Sequence, residues 1–136
     1  MSVLLSIKPE FAEKILSGEK RFEFRRVVPK RPVERVVVYA SSPVCRVVGE
    51  FSVRQVVSDT PKALWRRTRE HAGISWAYFI RYFGGRSCAH AFEVEHAVRY
   101  AEPIDPKRVD RSFRPPQSFA YLEGFEKLES RIDAVA

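Results

Sequence analysis

The chain has 136 residues, 45% of them hydrophobic, enough for one globular domain to bury a core without disulfides or a structural metal. No run of about 18 apolar residues occurs, which excludes a membrane-spanning helix. Lys and Arg outnumber Asp and Glu by 24 to 17, and the resulting +7 charge points to polyanionic partners rather than to a particular fold.

The start of the chain, MSVLLSIKPEFAEK, lacks the basic region and cleavage site of a secretory leader, so a cytoplasmic protein is expected. Cys45 and Cys88 do not form a Cys-x-x-Cys pair. They are expected to be reduced, with neither metal nor cofactor bound.

VLLSI (3–7) predicts a short buried strand. Pro9 then suits the first position of a helix, Glu10 favours its positive end, and Gly18 is placed to stop it in the left-handed conformation. RFEFRR (21–26) alternates with period two, and VVPKRPVE follows as a proline-interrupted loop. RVVVYAS (35–41) predicts a strand buried on both faces. RVVGEFSVRQVV (46–57) predicts a long strand with a bulge or bend at Gly49.

Asp59-Thr60-Pro61 opens a helix that Ala72-Gly73 stops, and Ser75 caps a second one, SWAYFIRYFGG. Its Ala77, Phe79, Ile80 and Phe83 are expected to face the core, as are Trp65 and Trp76. SCAHAFEVEHAVRYAEP (87–103) predicts another long strand. PIDPKRVDRSFRPP predicts an extended surface loop, SFAYL (118–122) a short strand, and EGFEKLESRIDAV a terminal helix. The sum is an α+β domain of five to six strands over residues 1–136, long enough to curl into a small barrel.

Three stretches of this chain resemble the ASCH domain family of the PUA-like superfamily: SIKPEFAEKILSGEKRFEFRR (6–26), VYASSPVCRVVGEF (38–51) and PPQSFAYL (115–122). The most specific is Gly-x-Lys-x-x-Glu-x-Arg, present as Gly18, Lys20, Glu23 and Arg25. The likeness runs in order over nearly the whole chain, as in a small stand-alone prokaryotic ASCH protein. It implies a PUA-like mixed β-barrel with flanking helices, a cleft beside the first helix, and binding of RNA or modified nucleobases.

One constellation follows from strand parity around Lys20, Glu23, Arg25 and Arg26. Phe22 and Phe24 point one way, and Arg21, Glu23 and Arg25 the other. With the aromatic pair in the core, the opposite face carries an acid between two bases. The same pattern also reads as an exposed strand with cross-strand ion pairs. Arg25, Arg26 and Lys8 are candidates to take phosphate oxygens, and Glu23 to accept from a base amino group.

A second constellation is PPQSFAY, where Gln117, Phe119 and Tyr121 share parity. Gln117 and Tyr121 are candidates to read and stack bases, while Phe119 reads better as core. In YASSP, the third, Tyr39, Ser41 and Ser42 end a buried strand and could hold a phosphate or ribose hydroxyl; a capped turn explains them as well.

One branch of the ASCH family deacetylates acetylcytidine with a lysine and, three positions later, a threonine nucleophile. Here Lys20 fits, but the threonine position holds Glu23, and the nearest candidate for that branch's acid is Glu70. The resemblance therefore implies a binding module for RNA, single-stranded nucleic acid or a modified nucleoside. Such a module would act in regulating transcription or translation. The alternatives are a small metal-independent hydrolase with Lys20 and Glu23 as catalytic groups, either acetylcytidine amidohydrolase-like or a ribonuclease, and a sensor of an anionic metabolite.

Overall fold

The structure is a computed structural model and describes residues 1–135. Its six strands are β1 (Ser2–Ile7), β2 (Phe22–Arg25), β3 (Arg35–Ala40), β4 (Arg46–Asp59), β5 (Ala89–Ile104) and β6 (Phe119–Tyr121). Five α-helices accompany them among the described residues: α1 (Pro9–Leu16), α2 (Pro61–Thr68), α3 (Trp76–Phe83), the single turn α4 (Pro106–Val109) and α5 (Glu126–Val135). The strands form one sheet in the order β2-β5-β4-β3-β1-β6. Only β1 and β3 run parallel; the other pairs are antiparallel.

This sheet is a curled half-barrel. β2 and β6 are its two edges, yet Arg25 of β2 bonds to Ser6 of β1 and to Ser118, the residue before β6. The curl needs breaks in the ladder. Register shifts occur between Val38 and Tyr39 in β3 and at three points along β4 against β5. Gly49 lies at such a shift, as its position in the sequence suggests. A Cβ there would stand 2.4 Å from the Val98 carbonyl oxygen and 2.7 Å from Leu16 Cδ2, so only glycine lets β5 and α1 close on β4.

The sheet buries both faces. Val3, Leu5, Val36, Val38, Phe51 and Phe92 fill the concave side under α1. On the convex side, Leu4, Val37, Tyr39 and Tyr100 pack beneath α5. Further along that side, Phe24, Ala89 and Ala91 meet Leu64 of α2 and Phe79 and Phe83 of α3.

The helix ends follow their sequence signals. Pro9 opens α1 and Gly18 follows it at φ +88°. Thr60 caps α2 by accepting from the Ala63 N–H, and Ser75 caps α3 by accepting from that of Tyr78. Some expectations fail. The segment 103–116 is not an extended surface loop: it contains α4, and Phe113 is buried against Tyr39 and Phe125, because α5 leaves an apolar slot that one aromatic ring fills. Trp76 is not core. It is 41% exposed and stacks on Phe79, while Trp65 is half-buried, because Phe79 and Phe83 already fill the space under α3.

Candidate functional site

The parity of β2 decides which way its charges point. Phe24 pairs with Ala91, and both pack under α3; Glu23 pairs with Phe92, which belongs to the concave core. Glu23 and Arg25 therefore project into the half-barrel, where its two edges approach each other. A cleft of about 750 Å³ opens at this seam. Its floor is Lys20, Glu23 and Arg25, and the end of β1 and the segment 115–119 supply one wall. Phe11 of α1, Ile74, and Tyr78 and Tyr82 of α3 supply the other, with Lys8, Arg26 and Arg86 at the mouth.

Arg25 holds the seam together. Nη1 donates to Glu23 Oε2 at 3.1 Å and to the Ser6 carbonyl at 3.3 Å. Nη2 donates to the carbonyl and hydroxyl of Ser118 at 2.9 and 3.1 Å. The Ser6 hydroxyl in turn donates to the Pro116 carbonyl at 2.6 Å, which fixes the proline segment against β1. One guanidinium thus replaces the ladder that would have closed the barrel. This corrects the expectation that Arg25 is free to fork onto a phosphate, because both terminal nitrogens already serve the protein.

Lys20 is 1% exposed, yet it belongs to the floor of the cleft. Nζ donates to the Ala72 carbonyl at 2.7 Å and lies 4.7 Å from the Phe24 ring centroid and 5.5 Å from that of Phe11. Burial lowers its pKa from 10.5 to about 8; the Glu23 charge opposes that shift and Lys14 adds to it.

Gly73 makes this placement possible. Its φ is +69°, and a Cβ there would lie 2.6 Å from both Cβ and Cγ of Lys20, so the backbone of 72–73 rests on the lysine stem. In sequence Gly73 reads only as a helix stop.

Of the residues singled out by sequence, Lys8, Lys20, Glu23, Arg25, Arg26, Ser41 and Gln117 line the cleft. Tyr39, Ser42 and Tyr121 do not. Tyr39 points to the convex side and packs on Phe113, since one step in parity separates it from Ala40 on the concave side. Ser42 is exposed in the turn before β4. Tyr121 continues the wall past the cleft and lies under the guanidinium of Arg31 at 5.2 Å. Phe119, expected as core, lines the cleft and also packs against the concave core. Glu70 is exposed and takes no part in the lining.

Sequence reasoning misses Phe11, Tyr78, Tyr82, Arg86 and Ser118. Tyr78 and Tyr82 carry a usable signal, two phenols four residues apart on a predicted helix. Ala77 and Ile80, expected to face the core from that helix, are exposed, because α3 turns its tyrosines toward the cleft instead.

The model of the ASCH domain matches residues 5–110. The chain belongs to the ASCH domain family. It is 35% identical to a protein of Zymomonas mobilis named ASCH domain-containing ribonuclease, over 97% of this chain and 93% of that one. The crystal structure of ASCH from Zymomonas mobilis superposes with a TM-score of 0.85 at 34% identity, covering 95% of this chain and 94% of that one.

A tyrosine-to-phenylalanine mutant of the Zymomonas protein gives 0.89 at 30% identity, covering 99% of both chains. The chain also matches parts of larger proteins of Ureaplasma parvum. It spans 15% of one named ATP synthase subunit alpha, at 32% identity, and 39% of one named large ribosomal subunit protein uL22, at 30%.

Proposed function

We propose that this ASCH protein binds single-stranded RNA, with one nucleotide held in the cleft at the seam of the half-barrel. The observation that carries the reading is the floor itself: a buried ammonium and a buried carboxylate face an open volume between aromatic walls. A base edge presents acceptors and donors side by side, and Lys20 and Glu23 supply the complementary pair. Phe11 and Phe119 offer faces for stacking, which tolerates any base. Gln117 and the Ser41 hydroxyl extend the polar lining toward the ribose and phosphate. A relative with the name ribonuclease, 35% identical over nearly the full length, supports RNA as the ligand class.

The test is the anisotropy of a labelled single-stranded oligoribonucleotide titrated at several salt concentrations. The expected affinity falls steeply as salt rises, because phosphate contacts release counterions. Lys20→Ala weakens binding by about tenfold, the scale of one lost charge-assisted contact. No binding at low salt, or binding that ignores salt, overturns the reading.

A second reading, cleavage of the bound strand, is favoured by the low pKa of Lys20 beside Glu23. A neutral Lys20 amine would take the proton of a ribose 2′-hydroxyl while that oxygen attacks phosphorus, so that a 2′,3′-cyclic phosphate forms and the 5′-oxygen leaves as a hydroxyl with a proton from water. Its rate should rise with pH through about 8 as the free amine appears, and it should vanish in Lys20→Ala. A purified protein that binds RNA but leaves it intact across that range excludes cleavage and leaves the binding reading standing.

A further inference from the structure

The outer wall of the cleft carries an arrangement that the floor does not explain. Tyr78 and Tyr82 lie one turn apart on α3, their rings 6.5 Å between centroids and only 13° from parallel. Each ring is paired with cations. Lys8 Nζ stands 5.2 Å from the Tyr78 centroid, and the Arg81 guanidinium is 5.8 Å from it. The Arg26 guanidinium lies 4.4 Å over Tyr82, held there by a 2.8 Å bond from Nε to the Tyr82 carbonyl.

Arg26 is anchored through Nε but unspent, since its terminal nitrogens have no protein partner among the described residues. Nor do Lys8, Arg26, Arg81 or Arg86 meet a carboxylate within 4.0 Å among those residues, although several other arginines of this chain do. Lys8, Arg26 and Arg86 line the mouth of the cleft and Arg81 stands outside it beside Tyr78, so that unpaired cations flank two aligned phenols, which is good chemistry for a strand of phosphates and bases.

We infer that the tyrosine ladder of α3 is a second nucleotide subsite, so that the ligand of the cleft is a strand of at least two nucleotides and not a free nucleoside. This rests on the RNA reading above and extends it. The nucleotide next to the one on the floor stacks on the Tyr82–Arg26 pair, for a guanidinium plane accepts a base as an aromatic ring does. Its phosphate lies among the terminal nitrogens of Arg26, Lys8 and Arg86, and Tyr78 continues the track.

The experiment compares a ribonucleoside 5′-monophosphate with single-stranded oligoribonucleotides of two, four and eight residues, by calorimetry and competition anisotropy. For the parent, affinity should climb from the mononucleotide to the dinucleotide by about tenfold, the worth of one stacked base. In Tyr82→Ala and in Arg26→Ala that gain should shrink several-fold, while Tyr82→Phe, which keeps the ring, should preserve it.

Tyr82 also packs on Phe83 at 4.9 Å, so thermal melts accompany every variant. Should Tyr82→Ala fail to fold, Tyr78→Ala and Arg26→Ala decide. A parent that binds the mononucleotide as tightly as the oligomers overturns the second subsite while the cleft reading survives. The second subsite is likewise overturned if the ladder variants keep the whole length-dependent gain although Lys20→Ala weakens binding. A parent that binds no oligomer at low salt defeats the cleft reading itself.

Discussion

Two clusters of acid and base sit on opposite sides of the curled sheet and share their chemistry but not their surroundings. On the concave side, Lys20, Glu23 and Arg25 adjoin the cleft. On the convex side, Glu50 accepts the Tyr100 hydroxyl at 2.7 Å and stands 3.7 Å from Arg35. Arg35 also reaches Asp133 of α5 and the Ser2 hydroxyl. Burial first, then the bond to Glu50, holds the Tyr100 phenol protonated well above its usual range. The convex cluster fastens α5 to the sheet, and none of Arg35, Glu50 and Tyr100 lines the cleft. The concave cluster fastens one seam through Arg25 and leaves Lys20 and Glu23 facing open volume. A perturbed titration is common to both, so proximity to an empty space, not the pKa, separates a candidate site from a structural bolt.

The sharpest way to break this comparison is to remove the seam. Arg25→Ala strands the Glu23 carboxylate in a buried position and removes a donor from the Ser6 and Ser118 carbonyls. It should cost about 3–5 kcal/mol in chemical denaturation, the scale for an orphaned buried charge. A loss below about 1 kcal/mol would mean that the curl does not depend on this guanidinium.

Lys20→Met sharpens the comparison through pH. The unfolded chain keeps the Lys20 proton up to about 10.5, whereas the folded protein releases it near 8. Between those values the unfolded state binds more protons, so the parent should gain stability on Lys20 as pH rises from 8 to 10.5. At pH 7 the buried charge is at its most costly. The gap between parent and Lys20→Met should therefore move in favour of the parent by up to about 3 kcal/mol between pH 7 and pH 10.5. Parallel pH profiles for the two proteins would show that Lys20 is ordinarily solvated.

Gly73→Ala tests how the lysine is held. Both the positive φ and the 2.6 Å approach to the Lys20 stem resist a methyl group, and about 1–3 kcal/mol should be lost. The Lys20 pKa, followed by NMR of the labelled side chain, should climb back toward 10.5 as the 72–73 backbone lifts away. An unchanged pKa would detach Gly73 from the site. The smallest effect is expected on the convex side: Tyr100→Phe removes one hydroxyl, but Glu50 keeps Arg35, so about 1 kcal/mol should be lost with RNA binding untouched.

Much of the fold is legible in the sequence because its signals are local. Pro9, Gly18, Thr60 and Ser75 bound their helices by backbone chemistry that needs no distant partner. The valine-rich 35–40 declares a strand buried on both faces. The alternation of FEFR separates Phe24 from Glu23 and Arg25 without any knowledge of the sheet around it. The candidate cleft is legible in the motif on its floor side, where Lys20, Glu23 and Arg25 all lie. Its outer wall is not. Tyr78 and Tyr82 differ from Phe79 and Phe83 only by which side of α3 meets Phe24, and helical spacing alone does not orient a helix about its own axis. Tyr39 fails for the complementary reason: both faces of β3 are covered, so parity could not say which one borders the cleft.

The sequence by itself determined the kinds and order of the elements, the two sides of β2 and the family motif, because each follows from interactions within a few residues. Tertiary structure alone decided that the strand edges meet over Arg25, that Gly73 presses on the Lys20 stem, and that the α3 tyrosines rather than Tyr39 and Tyr121 line the cleft. Those outcomes depend on how far a sheet curls and on what covers each face, and contacts between residues as distant in sequence as Arg25 and Ser118 set both.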